Sequence, residues 1–130
     1  MLSITTKSPY AIAALAELGR SADDAPVSIG ELARRRDIPV QFLEQLFAAL
    51  RRAGLLRSFR GVNGGYRFAR PVDSITVLEV VELLDGPLGA GSAGVFADAA
   101  DAARNVLAAI TIADVIERET HDAGSAMYYI

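Results

Sequence analysis

Apolar residues recur at helical spacing along most of this chain, and the stretches between them carry capping and turn residues at matching offsets. Apolar positions 12, 15, 16 and 18 predict an amphipathic first helix from Pro9 to Arg20, with Pro9 in the opening turn, where its missing N–H costs no hydrogen bond. A polar connector, 21–26, follows. Ser28 with Glu31 three residues on is a capping box, and it starts a second helix that runs to Arg36. Pro39 opens a third, which Gly54 ends just after Arg52. Its apolar stripe is Phe42, Leu43, Leu46, Phe47 and Leu50, with Gln41, Glu44, Gln45 and Ala48 on the opposite side. Between Leu55 and Ala69 the pattern becomes two short strands around a glycine-rich tip, in which Asn63-Gly64 suits a tight turn. Thr76 and Glu79 form a second capping box, for a helix with Val77, Val80, Val81 and Leu84 on one side. Segment 86–95 contains Gly86, Gly89, Gly91 and Gly94 and is expected to be a flexible loop.

The last third has a different pattern. Phe96, Ala100, Ala103, Leu107 and Ile110 step by four, three, four and three residues, a heptad-like seam that a single domain could bury against itself but that better suits a partner helix of a second subunit. Seven alanines between Ala97 and Ala109 favour the helix and leave little bulk, so a second copy could approach closely. Thr111 and Asp114 cap a short final helix that ends near Glu119, and 120–130 is a tail without clear pattern. The predicted fold is mainly α with a small β-hairpin: a winged helix-turn-helix over 1–85, a loop over 86–95, and a dimerisation helix with a short terminal helix over 96–119. Two helices followed by a basic hairpin is the plan that lays one helix in the major groove of DNA.

Charge sharpens this reading. Residues 31–70 hold nine arginines against Glu31, Asp37 and Glu44, a balance of 9 − 3 = +6, whereas the whole chain is −3 and the remainder therefore −9. A basic module on an acidic body is the footprint of a nucleic-acid binder. The 130 residues are 52% hydrophobic and 22% charged, which excludes a disordered chain. No stretch has signal-peptide or membrane-spanning character, so a cytoplasmic location without membrane contact is expected. The chain has no cysteine, which removes disulfides, thiolate metal sites and cysteine nucleophiles. His121 beside Asp122 reads as a surface residue, Asp98 and Asp101 as favourable charges at a helix start, and no nucleophile motif points to an enzyme. A phosphate-binding loop would need GxxxxGK[ST] between a strand and a helix, which the glycine-rich tip lacks.

Glutamine can pair with adenine and glutamate can accept from cytosine, so Gln41, Glu44 and Gln45 are candidate base readers. Arg51, Arg52, Arg57 and Arg60 flank them, with Arg60 at the base of the hairpin tip placed to enter a minor groove. The full set of candidate DNA contacts is Lys7, Ser28, Gln41, Glu44, Gln45, Arg51, Arg57, Arg60, Asn63, Gly64, Gly65 and Tyr66. Tyr66 is also a candidate for packing in the wing.

Phe42-Leu43-Glu44-Gln45-Leu46-Phe47, Leu50-Arg51-Arg52-Ala53-Gly54-Leu55, Arg60-Gly61-Val62-Asn63-Gly64-Gly65-Tyr66 and Ile75-Thr76-Val77 together resemble the Rrf2 family of bacterial transcription regulators. The similarity extends from about Ile4 to Ile116. The resemblance implies a winged-helix homodimer on a pseudo-palindromic operator, with Gln41, Glu44 and Gln45 toward the major groove and Arg60 in the minor groove. Family members commonly carry a basic residue where this chain has Pro9, which leaves Lys7 as the nearby candidate for a phosphate contact. Iron–sulfur members hold their cluster through three cysteines in the loop before the dimerisation helix, and here that loop has none. The expectation is a homodimeric DNA-binding repressor of an operator in double-stranded DNA, with no cofactor and with a small-molecule or protein effector acting near the 86–95 loop. The alternative is a dimeric protein-interaction module derived from such a regulator, with weak or no operator binding.

Overall fold

A computed structural model describes the backbone of residues 3–21 and 24–128 and the side chains of those up to 122. Among them run α1 (Lys7–Arg20), α2 (Ile29–Arg36), α3 (Val40–Arg52), β1 (Leu56–Phe59), β2 (Gly65–Phe68), a single 3-10 turn at Val72–Ser74, α4 (Val77–Asp85), α5 (Val95–Ala108) and α6 (Ile112–Tyr128). The two strands form one antiparallel sheet. No helix of the described residues is long and apolar enough to cross a membrane.

The three capping signals all form, in different ways. Ser28 Oγ accepts from the Glu31 N–H at 3.2 Å and Thr76 Oγ1 from the Glu79 N–H at 3.1 Å. Only at α6 is the exchange reciprocal: Thr111 Oγ1 accepts from the Asp114 N–H at 3.1 Å, and the Thr111 N–H donates to Asp114 Oδ2 at 2.9 Å. That backbone donor, with the Thr111 hydroxyl, holds the Asp114 carboxyl below its ordinary range. The carboxylates of Glu31 and Glu79 turn instead to arginines, Arg34 and Arg35 in one case and Arg70 in the other.

The predicted stripes supply the core. Leu15 of α1, Leu32 of α2, Leu43, Phe47 and Leu50 of α3, Leu55, Ile75, Val80 and Ile112 are all buried together. Burying each such side chain stabilises the fold by about 1.5–3 kcal/mol before the entropy of ordering is set against it. Ile112 places the start of α6 inside this core: its N–H donates to the Ile75 carbonyl at 2.9 Å, and the Val77 N–H donates to that of Ile110 at 2.8 Å. Along α1, Gly19 lets Ile116 in so closely that a Cβ there would overlap the Ile116 side chain. The C-terminal helix is thus part of the winged-helix core and not an appendage to a dimerisation element.

Two boundaries differ from the sequence expectation. The final helix, expected to stop near Glu119 with a patternless tail over 120–130, runs on to Tyr128. Gly124 and Ser125 are poor helix formers, which hid the continuation. Tyr129, Ile130, Met1, Leu2, Ala22 and Asp23, and the side chains of Met127 and Tyr128, lie outside the described residues. The 86–95 segment, expected to be a flexible loop, is folded into consecutive turns. The Ala90 N–H donates to Pro87 and that of Ser92 to Gly89, Leu88 is buried, and the Leu88 N–H donates to Glu82 Oε2 at 3.0 Å. Arg104 of α5 pairs with the same carboxylate, so Glu82 ties loop, α4 and α5 together.

An ion-pair network joins α1, α2 and α6. Arg36 donates from both terminal nitrogens to Glu119, at 3.0 and 2.6 Å, and from Nε to Glu17 at 2.9 Å. Arg35 reaches Glu17 and Glu31, and Arg20 lies 3.8 Å from Glu119. The Arg36 guanidinium holds the Glu119 carboxyl below its ordinary value of 4.5, and Arg34 followed by Arg35 lowers that of Glu31 to about 2. A folded-state value depressed below the unfolded one gives stability that is complete above pH 4.5 and fades as pH falls through the folded value. Acid titration of the wild type should therefore lower its thermal midpoint more steeply below pH 4.5 than that of Glu119→Gln; parallel curves would remove this network from the acid transition.

Candidate nucleic-acid interface

The third helix presents the surface that its stripe predicted. Leu43, Leu46, Phe47 and Leu50 are buried, while Gln41, Glu44 and Gln45 are exposed. The side-chain hydroxyl of Ser28 is engaged as the α2 cap, so this candidate orders the helix before α3 in addition to standing exposed beside the site. Lys7 is the exposed first residue of α1. Its turn is fixed by Asp85 at the end of α4, whose carboxylate accepts from Ser8 Oγ and Thr5 Oγ1, each at 2.5 Å. Burial alone would raise the Asp85 pKa, but the hydrogen bonds from Ser8 and Thr5 and the nearby Lys7 charge outweigh it and leave the value lowered.

Charge is distributed differently from the sequence count. Of the nine arginines in 31–70, Arg34, Arg35, Arg36, Arg67 and Arg70 pair with Glu31, Glu17, Glu119, Asp24 and Glu79. Most of these acids come from the acidic body, so the two charge populations partly neutralise one another inside the fold. Among the described residues Arg51, Arg52, Arg57 and Arg60 have no ion-pair partner, and all four are exposed. They follow one another along the end of α3, β1 and the start of the wing tip. An unpaired, hydrated guanidinium is the form that can exchange water and counterions for phosphate.

The wing is built with close tolerances. Leu56 pairs with Phe68 and Phe59 with Gly65, which leaves residues 60–64 at the tip. The turn itself is closed by the Gly64 N–H donating to the Gly61 carbonyl at 3.0 Å, so Val62 and Asn63 occupy its centre. The Asn63-Gly64 pair expected there is thus displaced by one residue. Asn63 is exposed at the tip, and Gly64 packs so closely against the Phe59 carbonyl that a Cβ would overlap it. Gly65 has φ +150° and lies against the backbone of Val27. Tyr66, a candidate DNA contact, has its ring edge-on to Phe47 at 5.2 Å, and its N–H and carbonyl exchange hydrogen bonds with Val27 at 2.8 and 3.1 Å. Half-buried there, it fastens the wing to α3.

The expected dimer seam divides. Ala100 is buried against Gly89 of its own chain, and Ala103, Leu107 and Ile110 are half-buried; only Phe96 is fully exposed, at 66%. Ala100 is therefore unavailable to a partner. The exposed apolar row of α5 is Val95, Ala99, Ala102 and Val106, continued by Ala109, and it is rotated by one residue, about 100°, from the expected seam. Val40, at the start of α3, has the same helical spacing as buried Leu43, Phe47 and Leu50, and pattern alone does not show that it is exposed.

Comparison with known proteins identifies the family and the fold. The family described as Rrf2, iron-dependent transcriptional regulator, matches residues 4–95. The transcriptional regulator IscR of Cereibacter sphaeroides is 41% identical over 100 residues, covering 72% of this chain and 64% of its own. CymR of Bacillus subtilis is 28% identical over 138 residues, covering 99% of this chain and 100% of its own. The solved structure of that CymR, described as the global cysteine regulator, superposes with a TM-score of 0.83 at 30% identity, covering 91% of this chain and 98% of its own. The IscR of T. potens gives 0.78 at 33% identity, covering 91% and 88%. The chain spans only about half to two thirds, 51–64%, of the length of several of the regulators that it matches. Iron is implied by the family description, but the residues present do not fit it. The chain has no cysteine, the 86–95 segment offers no carboxylate or imidazole, and the described residues hold no cluster of three His, Cys, Asp or Glu side chains. The winged-helix architecture, the α3 and wing motifs and these similarities agree: the chain belongs to the Rrf2 family.

Proposed function

We propose that this protein is a DNA-binding transcription regulator that acts as a homodimer on a pseudo-palindromic operator, without a thiolate-held iron–sulfur cluster. The observation that carries this reading is the concentration of unpaired, exposed arginines at 51, 52, 57 and 60, at the end of and just beyond a helix whose exposed face bears Gln41, Glu44 and Gln45. The helix would read base edges in the major groove, the arginines would position it on phosphates, and Arg60 would enter the minor groove beside the wing. Names such as regulator IscR and CymR are those of the relatives, and they support the same class. A twofold molecule presents two such helices to two half-sites, and the exposed row on α5 is the surface that supports pairing.

The test is selection of bound fragments from the source genome, followed by affinity measurements over a range of salt. A selected sequence whose binding falls steeply with salt is expected. Arg60→Ala should weaken binding most where the sequence under the wing is A/T-rich and reduce the salt slope by about one. A chain that enriches no sequence, or a variant with the wild-type slope, would overturn the assignment.

A further inference from the structure

Val40 is the one exposed large aliphatic side chain of α3, at 43% accessibility, whereas Leu43, Leu46, Phe47 and Leu50 of the same helix are buried. It is the first residue of the helix, following Pro39 at the cap position, so its backbone is fixed by the turn that opens α3. At 100° per residue it lies on the arc with Glu44, one turn on, and at the edge of the face that carries Gln41 and Gln45. Three residues before Leu43 and seven before Phe47, it stands where the buried stripe meets the polar face, and it leaves 43% of its surface to solvent. It adds no hydrogen bond to a face otherwise built from polar readers. The N-terminal turn of a recognition helix is the part that approaches base edges. In the major groove the one apolar group on an unmodified base edge is the C5 methyl of thymine.

Resting on the operator reading above, we infer that Val40 is a specificity-determining residue that packs on a thymine methyl in each half-site. The polar neighbours read donors and acceptors, and Val40 reads the feature that hydrogen bonding cannot detect. Removing one methyl from an apolar contact corresponds to about a fourfold loss of affinity per half-site, ~0.8 kcal/mol. The contact is uncharged, so its loss leaves the salt dependence unchanged, in contrast to the loss of an arginine.

The experiment uses the duplex selected by the wild-type chain and the same duplex with half-site thymines replaced one at a time by deoxyuridine, which lacks the methyl. Each is titrated with the wild type and with Val40→Ala, whose higher helix propensity and exposed position keep the fold intact, as thermal melting would confirm. At one thymine the wild type should lose about fourfold per half-site on replacement. Val40→Ala should bind the native duplex that much more weakly, with an unchanged salt slope and no further loss on the deoxyuridine duplex. Independent, additive losses, or a tightly bound wild type indifferent to every replacement, would overturn the role of Val40 while leaving the regulator reading intact. Failure of the wild-type chain to select any duplex would overturn the regulator reading itself, and this inference with it.

Discussion

Val106→Glu is expected to convert a dimer into a folded monomer and to abolish tight operator binding. Val106 is 59% exposed and Val95 76%, and with Ala99, Ala102 and Ala109 they form a continuous apolar row along α5. Two copies of the row, brought together about a twofold axis, would hold both introduced carboxylates in an apolar contact without a cation. An unpaired carboxylate there costs several kcal/mol, enough to dissociate a dimer at micromolar concentration. Within one subunit the change is to an exposed position, so stability should move by no more than about 0.5 kcal/mol. A monomer engages one half-site at a time and loses the second as an intramolecular event, a loss of roughly 10²–10⁴ in affinity. Ala100→Glu should behave differently, because Ala100 is 2% exposed against Gly89, and a charge there would unfold the subunit instead of separating two of them. Sedimentation and melting of both variants separate these outcomes. A wild-type monomer, or a Val106→Glu dimer, would reject the α5 interface.

The contrast between these two positions shows where the sequence stops being informative. A four-three spacing of apolar residues identifies α5 and the existence of an apolar face, but in an alanine-rich helix almost every register offers such a row. Phe96, Ala100, Ala103, Leu107 and Ile110 fit the spacing as well as Val95, Ala99, Ala102 and Val106 do. The choice between them is made by α4 and the 86–95 turns, which take up Ala100, and by the Glu82–Arg104 pair, which turns Arg104 toward α4. These contacts join residues distant in sequence, and no local pattern encodes them.

Charge shows the same limit from another direction. The +6 balance of 31–70 locates the basic module, yet five of its nine arginines are engaged with acids, as Arg36 is with Glu17 and Glu119. Counting residues cannot separate an arginine that fastens α2 to α6 from one that remains free, because the difference lies in which carboxylate the fold brings within about 4 Å. Local spacing does not recover the difference either: Arg36 and Arg67 have no acid at helical or cross-strand spacing, as Arg57 and Arg60 have none, yet only the first two are paired. Local signals fared best. The caps at Ser28, Thr76 and Thr111, the stop at Gly54 and the α3 stripe all depend on neighbours within a few residues, and all are present.

Gly65→Ala is expected to destabilise the protein by about 3–5 kcal/mol, the sum of strain, overlap and lost hydrogen bonds. At φ +150° the residue is in a region that side-chain-bearing residues rarely adopt, a strain of roughly 1–3 kcal/mol. The added Cβ would meet the carbonyl of Val27 and the N–H of Ser28, both backbone, which cannot swing aside as the end of a flexible side chain could. Relief requires β2 to move off Val27. That movement breaks the two hydrogen bonds between Val27 and Tyr66, each worth about 1 kcal/mol, and draws Tyr66 away from Phe47. Against a total stability of about 5–15 kcal/mol the loss is large. The wing moves with β2, so Arg60 no longer holds its place relative to α3, and operator affinity should fall with a smaller salt slope even at temperatures where the variant remains folded. Gly61→Ala provides the control: its φ is +103°, but nothing lies within 4 Å of an added Cβ, so it carries the strain without the collision. Urea denaturation of both variants gives the comparison. If Gly65→Ala were no less stable than Gly61→Ala, the close approach of β2 to Val27 would not be what holds the wing in place.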